Sequence, residues 1–424
     1  MADFDNRIKD LVSVVISTYN YENYILETLD SLAKQTYPEI ELIIIDDCST
    51  DNTAMIVENW YRQHKGHFRD YIYLKLLRNC YSSWALNIGF LVSKGEFIVI
   101  HDADDISYQT KIEKQVQWLK AHPETAAVGT SFWALERGKY YKPFWLSYKR
   151  QDISLNYKFY NKHCVSFGTI MFRAEILNNI TGVKKHPDNM NDFLFLKDIV
   201  NHGYIVDNLD EGLIYIRIHP GQLSEKYLKN FTESIPVEEG GFKKIKNRVS
   251  VVIPVRDLSG MILKVLNNIA LQSYPDLEII IVDTLPFSGN IRELVLDWFS
   301  NYKAQSGGVI KELFYFRFPV QLPVCRVYNI GSYLAKGEYI FYQGDTEFVE
   351  KDRIQKLYNF LQENPAYSAV FVVKKGEGIN NFMLKSSVID QTAGFGRTEK
   401  DMYFLSFVNL LARNGYYFRV LGEL

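Results

Sequence analysis

A chain that repeats its own pattern has to build the same unit twice, and this chain repeats. "LVSVVISTYN" (11–20) returns as "RVSVVIPVRD" (248–257), and "QTYPEIELIIIDD" (35–47) returns as "QSYPDLEIIIVDT" (272–284), both 237 positions on. "SKGEFIVIHDADD" (93–105) returns as "AKGEYIFYQGDTE" (335–347), now 242 positions on. Three blocks in one order mean a duplicated domain. The change of offset falls between the second and third blocks, where loops absorb insertions. The expected division is a first domain at 1–224, a charged linker with a Gly pair at 225–247, and a second domain at 248–424.

Within each copy the pattern alternates. An apolar run at Val12–Ile16 leads through a polar turn to "YILETLDSLAKQ", with apolar residues at helical spacing. The strand "ELIIID" follows, then "CSTDNTAMIVENW", which opens on the Ser/Thr/Asp signals of a helix start. "YIYLKLL" and "EFIVIHD" supply further strands. Continuously apolar strands alternating with helices predict an α/β fold of two tandem Rossmann-like domains, each a mostly parallel sheet flanked by helices. Ligands bind beyond the carboxyl ends of such strands. Ser17–Asn20, Asp46–Thr50 and Asp102–Asp105 fall at those ends.

Composition removes several classes of function. Lys plus Arg (48) nearly balances Asp plus Glu (50), and a net charge of -2 argues against nucleic acid as a partner. Apolar runs such as "LIIIDD" are far shorter than the roughly 20 residues that span a bilayer. "MADFDNRIKD" has no apolar signal core, and Cys48, Cys80, Cys164 and Cys325 lack metal spacing or disulfide density. A reducing cytoplasm is the expected setting, with peripheral attachment at the inner face of the membrane compatible with it. The 29 Tyr, 27 Phe and 6 Trp read first as core, with sugar- or base-stacking surfaces as the alternative.

"IVIHDADDIS" (98–107) drives an apolar strand into three carboxylates within four places. Like charges this close repel unless something positive sits among them. Carboxylates at a strand end suit a hard divalent cation, Mn²⁺ or Mg²⁺, bound together with phosphate oxygens. In an extended segment Asp102 and Asp104 share a face, so both are expected to approach one ion. A solvated turn ahead of "SYQTKIEKQVQWL" is the plainer alternative. The cluster's place at the end of the third repeated block outweighs it.

Taken together, "VSVVISTYN", "QTYPEIELIIIDDCSTDNT", "SKGEFIVIHDADD", "MNDFLFLKDIVNHGYI" and "YIRIHPGQLS" cover nearly all of 10–224 and resemble a family 2 glycosyltransferase with the GT-A fold. The second half resembles the family more faintly, through its three blocks and "KDMYFLSFVNLLARNGYYF". The resemblance implies a nucleoside-diphosphate sugar donor, with uridine as the nucleoside. It implies that Asp102 and Asp104 hold the donor diphosphate through Mn²⁺ or Mg²⁺, and that His219 completes the metal site or meets the phosphates. Asp47 matches the position that contacts the base, and Ser17 and Tyr19 match its hydroxyl and stacking contacts. Asp192 matches the general base of an inverting transfer to an acceptor hydroxyl. The usual neighbour of that base is Glu, and here it is Asn191. "RNCYSSWALNIG" departs from the family's Gly-rich, basic segment, leaving Arg78 as the candidate phosphate contact.

The second copy aligns Gly344 with Asp102, Thr346 with Asp104, Glu347 with Asp105 and Thr284 with Asp47. Asp345, Glu347, Asp283 and Asp401 remain acidic, and the chain stops at "RVLGEL" before any counterpart of "YIRIHPGQLS". A degenerate domain serving acceptor binding or self-association is the expectation. The alternatives are a bifunctional two-site enzyme and a non-catalytic nucleotide-sugar-binding protein. A nucleotidyltransferase fits less well, since "STYNYEN" offers no Gly/Arg/Lys-rich phosphate loop. The acceptor is expected among glycans, lipid-linked glycans or peptides, in surface polysaccharide or glycoconjugate synthesis.

Overall fold

"IELIIID" is a strand because seven consecutive apolar or pairing residues find cover on both faces. All seven residues of Ile40–Asp46 are buried, as are all seven of Leu277–Asp283, its counterpart. The computed structural model describes residues 7–141, 150–185, 191–220, 222, 243–255, 261–285, 290–304, 308–318, 320–344, 349–374, 378–395, 408–409 and 411–421. The chain separates into two compact units, one formed by Asn6–Val183 with Pro187–Gly241, the other by Phe242–Leu424 with Lys184–His186 and the first five residues. Most of the expected linker lies outside the described residues.

The first unit runs β1 (Ile8–Thr18), α1 (Ile25–Ala33), β2 (Ile40–Asp46), α2 (Thr53–Gln63), β3 (Asp70–Lys75), α3 (Ser82–Val92), β4 (Gly95–Asp102), β5 (Ile106–Ser107), α4 (Lys111–Ala121), β6 (Thr125–Glu136), β7 (Lys139–Tyr141), α5 (Arg150–Leu155), β8 (Met171–Arg173), α6 (Asn191–Asn201) and β9 (Ile205–Ile218). The second runs β10 (Ile245–Val255), α7 (Met261–Ala270), β11 (Leu277–Asp283), α8 (Ile291–Ala304), β12 (Ile310–Arg317), α9 (Val324–Leu334), β13 (Gly337–Tyr342), α10 (Arg353–Glu363), β14 (Tyr367–Lys374), β15 (Gly378–Lys385), α11 (Ser387–Thr392) and β16 (Tyr417–Leu421).

The sheets have one topology. The order β3-β2-β1-β4-β8-β6-β9-β5, with β7 on β6, is matched by β12-β11-β10-β13-β15-β14-β16. In each, three of the four parallel strands carry the repeated blocks, and an antiparallel strand joins the four to a further parallel pair. Parallel pairing of β1 sets Thr18 beside Asp46 and Ser17 beside Asp102. Every polar end named from sequence in the first unit therefore converges at one sheet edge.

The duplication persists in buried polar detail. Glu41 has no exposed surface, and it accepts from Ser13 Oγ and from the amide of Lys94 at 2.6 Å. Glu278 repeats this with Ser250 Oγ and the amide of Lys336 at 2.9 Å. A buried carboxylate persists only when hydrogen bonds replace its lost water. The glycine of "KGE" is required beside it. A Cβ on Gly95 would stand 2.6 Å from the Leu11 carbonyl oxygen, and one on Gly337 would stand 2.7 Å from that of Arg248.

The helix start at α2 differs from the simple sequence expectation. Its N-cap Asn52 makes no side-chain cap bond. Asp51 instead accepts from the Thr53 amide at 3.0 Å and the Glu22 amide at 3.1 Å. The polar signals pin two loops together as well as opening a helix.

Candidate active site

Two acids at the end of β2 have different work. Asp46 is fully buried and satisfied, accepting from the Ser49 amide and the Tyr73 hydroxyl at 2.7 Å each. Asp283 in the second unit does the same for the Leu285 amide and Tyr315, so this acid is structural in both copies. Asp47 is also buried, and it accepts the Cys80 amide at 2.6 Å. Burial pushes its carboxyl up to about 7, against the lowering effect of the Cys80 hydrogen bonds. Arg78 is buried in the same neighbourhood, where its charge acts on Cys80. Tyr81 next to it holds a left-handed φ of 81°. Ser17 is half-buried and Tyr19 is exposed at the strand end. Thr18 Oγ1, Asn79 Oδ1 and Ser83 Oγ are buried without a hydrogen-bond partner, the condition of groups that await a ligand or water.

Beyond β4 the acidic segment turns. Ala103 and Asp104 form a turn, and the Asp105 amide donates to the Asp102 carbonyl at 3.4 Å. The segment is therefore not extended at 103–104, and strand alternation is not what brings Asp102 and Asp104 near each other, although the charge of Asp104 does act on Asp102. Asp104 Oδ2 lies 2.9 Å from His219 Nε2, and that contact, against the cost of burial, raises the imidazole pKa. The His219 ring stacks on Tyr24 at 4.1 Å between centroids. Asp102 keeps an edge open to solvent, yet surrounding protein strips much of its water, and the charges of Asp104 and Asp192 raise its carboxyl further. Asp105 is raised by burial and by its two loop neighbours, Asp104 and Asp102.

Residues not singled out from sequence hold this cluster. Arg217, near the end of β9, donates its amide to Asp105 Oδ1 at 2.9 Å and its Nε to the Asp104 carbonyl at 2.8 Å. Lys111 opens α4 with no exposed surface and no hydrogen bond at Nζ. Burial lowers its ammonium to about 8 despite attraction from Asp105 and Asp102. Tyr21 turns its phenol toward the cluster, where burial and then Asp104 raise it far above the ordinary range. His101 is kept neutral by burial, lowered to about 3, and bridges the Asp102 carbonyl and Ser107 Oγ at 2.8 Å each. In sequence Lys111 looks like a solvated helix residue, and Arg217 and His101 look like ordinary strand residues. No local pattern marks them.

Asp192 lies in the first turn of α6 and accepts the Phe193 amide at 2.7 Å. Burial works against its ionisation, but the hydrogen bond and charge of His163 and two backbone amides outweigh it, so its pKa lies below the ordinary carboxylate value. It is close enough to Asp102 for its charge to act there. The structure thus gathers Asp102, Asp104, Asp192 and His219 in one region, with Asp47 and Arg78 across the end of β1. Among the described residues no three His, Cys, Asp or Glu side chains converge in metal-ligand geometry. Asp104 and His219 are in contact, and Asp102 lies near enough for the charge of Asp104 to act on it; carboxylate oxygens of this kind are the ligand type that hard divalent cations take.

In the second unit, Gln343 replaces His101 and donates to the Gly344 carbonyl at 3.0 Å, and buried Arg353 replaces Lys111. Asp345, Thr346, Glu347 and Asp401 lie outside the described residues.

The family description Glycosyl transferase family 2 matches residues 13–181 and, a second time, 250–420. This chain belongs to that family. It is a glycosyltransferase, and relatives act in polysaccharide or glycoconjugate synthesis. An uncharacterised glycosyltransferase of Haemophilus influenzae is 30% identical over 274 residues, 62% of this chain and 79% of the relative. The Escherichia coli UDP-Glc:alpha-D-GlcNAc-diphosphoundecaprenol beta-1,3-glucosyltransferase WfaP is 28% identical over 227 residues, 52% of this chain and 82% of the relative. The solved Staphylococcus aureus TarS 1-349 in complex with UDP-GlcNAc gives a TM-score of 0.41 at 24% identity, covering 50% of this chain and 60% of that one. Among the described residues of this family member, no helix is long and apolar enough to cross a membrane.

Proposed function

We propose that the amino-terminal unit transfers a sugar from a UDP-sugar to an acceptor hydroxyl, with inversion at the anomeric carbon. The observation that carries the reading is the crowding of Asp102, Asp104 and Asp105 at one strand end, with His219 on Asp104 and Asp192 near enough to act on Asp102. Lys111, Arg217 and His219 offset part of this negative charge, but Asp102 and Asp105 are still raised above the ordinary carboxylate value, so a cationic ligand would relieve the remainder. Asp104, His219 and Asp102 would hold Mn²⁺ or Mg²⁺, which when bound neutralises charge on the departing diphosphate. Asp47 and the unpartnered hydroxyls of Thr18 and Ser83 offer a uracil-like base one acceptor and two hydroxyl contacts. Tyr19 offers a stacking face.

In the chemical step the acceptor oxygen forms its bond to the anomeric carbon while the bond from that carbon to the diphosphate oxygen breaks. The acceptor proton passes to Asp192, which is held ionised for that purpose. A positioned base contributes about 10²–10⁴-fold. A uridine donor and a glycan or lipid-linked glycan acceptor are supported by what the name of the Escherichia coli relative says of that protein.

Release of UDP from a panel of UDP-sugars, with Mn²⁺ and glycan acceptors, tests the reading. Asp192→Asn should abolish turnover while leaving UDP binding intact. A fully active Asp192→Asn rules out the base. The second match, over 250–420, favours a two-site enzyme as the rival. Any transfer surviving Asp192→Asn that a substitution in the second unit removes would support it.

A further inference from the structure

We propose that His163 positions the catalytic base as the centre of a Tyr157–His163–Asp192 relay, an inference that rests on Asp192 being the base. Tyr157 is fully buried and lies in a π-helical turn, Asn156–Tyr160, that ends on Asn161 in the left-handed conformation at φ 48° and ψ 39°. Such turns re-aim side chains and recur at functional sites. Here the turn points the Tyr157 phenol inward. Its oxygen accepts the Cys164 amide at 3.5 Å, with the Val165 amide also directed at it.

With its oxygen facing amide donors, the phenol has its own hydrogen left to give, and His163 Nδ1 stands 3.0 Å away. An Nδ1 that accepts from the phenol leaves the ring hydrogen on Nε2. Nε2 faces Asp192 Oδ2 at 3.4 Å, while Asp192 Oδ1 is held by the Phe193 amide. Phe193 packs edge-on to the imidazole at 6.1 Å and tilts against Tyr157 at 5.5 Å, closing the relay on its apolar side.

Both carboxylate oxygens are thereby anchored, Oδ2 by His163 and Oδ1 by the Phe193 amide, leaving lone pairs for an acceptor hydroxyl. The proton of that hydroxyl ends on Asp192, and none passes to His163. Its role is orientation and keeping the base ionised. The other charged groups around the relay are Asp102 at the end of β4, Lys162 beside His163, and Lys197 on α6, whose ammonium bonds Asn161 Oδ1 at 2.6 Å. Neither Tyr157 nor His163 belongs to a block shared by the two halves. The relay belongs to the first unit's own chemistry.

The test compares Asp192→Asn, His163→Ala, His163→Gln and Tyr157→Phe in the full chain, following UDP release from UDP-glucose and UDP-GlcNAc with Mn²⁺. In His163→Ala, kcat should fall about 10–100-fold with donor KM within about twofold. The acidic limb of the kcat profile should move to higher pH, because Asp192 loses the partner that lowers its pKa. His163→Gln, which keeps a donor, should recover part of the loss, and Tyr157→Phe should show a smaller loss of the same kind. If Asp192→Asn is inactive while His163→Ala keeps both kcat and its acidic limb, the relay is wrong and the base survives. If Asp192→Asn stays active, the base reading fails first. A loss in His163→Ala that appears in KM and in UDP binding would assign His163 to folding and overturn the relay. Independently of turnover, nitrogen NMR of the imidazole should show the Nε2–H tautomer, and an Nδ1–H tautomer would refute the arrangement.

Discussion

Asn87 on α3 holds the chain that leads toward Asp192, and removing its amide should loosen that chain by a calculable amount. Its Nδ2 donates to the Val183 carbonyl and its Oδ1 accepts the Val183 amide, both at 2.8 Å and both out of water. Gly182 makes the approach possible, with φ at 138° and a Cβ position only 2.3 Å from Asn87 Oδ1. Asn87→Ala strands one buried donor and one buried acceptor, at about 1–3 kcal/mol each. The expected cost is therefore about 2–6 kcal/mol, or roughly 5–20 °C in the melting of a unit this size. The second unit carries its own control. Asn329 holds Phe395 in the same way, at 3.1 Å to the carbonyl and 2.6 Å from the amide, beside Gly394 at φ 97°. Hydrogen exchange read by mass spectrometry under increasing urea separates the two units, which a single melting curve does not. Asn87→Ala should deprotect the Val183 amide and lower kcat. Asn329→Ala should deprotect Phe395 at a similar cost and leave kcat unchanged. Undiminished protection at Val183 would refute the hydrogen-bond reasoning.

The remaining predictions concern single groups. Asp47 has its carboxyl raised to about 7 by burial, so its ionised form is disfavoured in the folded state. The wild type should therefore lose stability as pH climbs from about 4 through about 7. Asp47→Asn keeps the acceptor for Cys80, so it should melt higher than wild type at pH above about 7 while binding UDP more weakly. Equal melting curves at high pH would contradict this. Gly95→Ala drives a methyl into the Leu11 carbonyl and should destabilise the first unit by several kcal/mol, of order 1–3 or more, seen as a lower urea midpoint. Glu41→Ala leaves the Lys94 amide and Ser13 hydroxyl buried without their acceptor, at about 2–5 kcal/mol in the same assay.

The duplication and the parallel sheet were legible because they rest on local signals: repeated blocks, apolar strands such as Leu277–Asp283, and helical spacing. The strand ends that build the site followed from the same signals through the rule for open α/β sheets. What escaped was set by the turn at Ala103–Asp104 and by the return of β9. Strand alternation is the wrong reason for pairing Asp102 with Asp104, because the chain turns at Ala103–Asp104 through an amide-to-carbonyl bond, and sequence carries no mark of that bond. Arg217 and Lys111 reach the acids only through packing of β9 and α4, more than a hundred residues away in the case of Arg217. Asp46 and Asp47 look equivalent in "IIIDD", and only their partners separate the structural acid from the candidate ligand contact. The π-helical turn at Asn156–Tyr160 has no signal in a stretch as aromatic as "NYKFYNKH".

The central claim is that the crowded acids of the first unit bind a dication together with a nucleotide. Calorimetric titration of UDP into the protein, with and without Mn²⁺, measures it directly for wild type and Asp104→Ala. Wild type should bind only when Mn²⁺ is present, and Asp104→Ala should lose most of that affinity. Metal-independent binding, or an unchanged affinity in Asp104→Ala, would contradict the account.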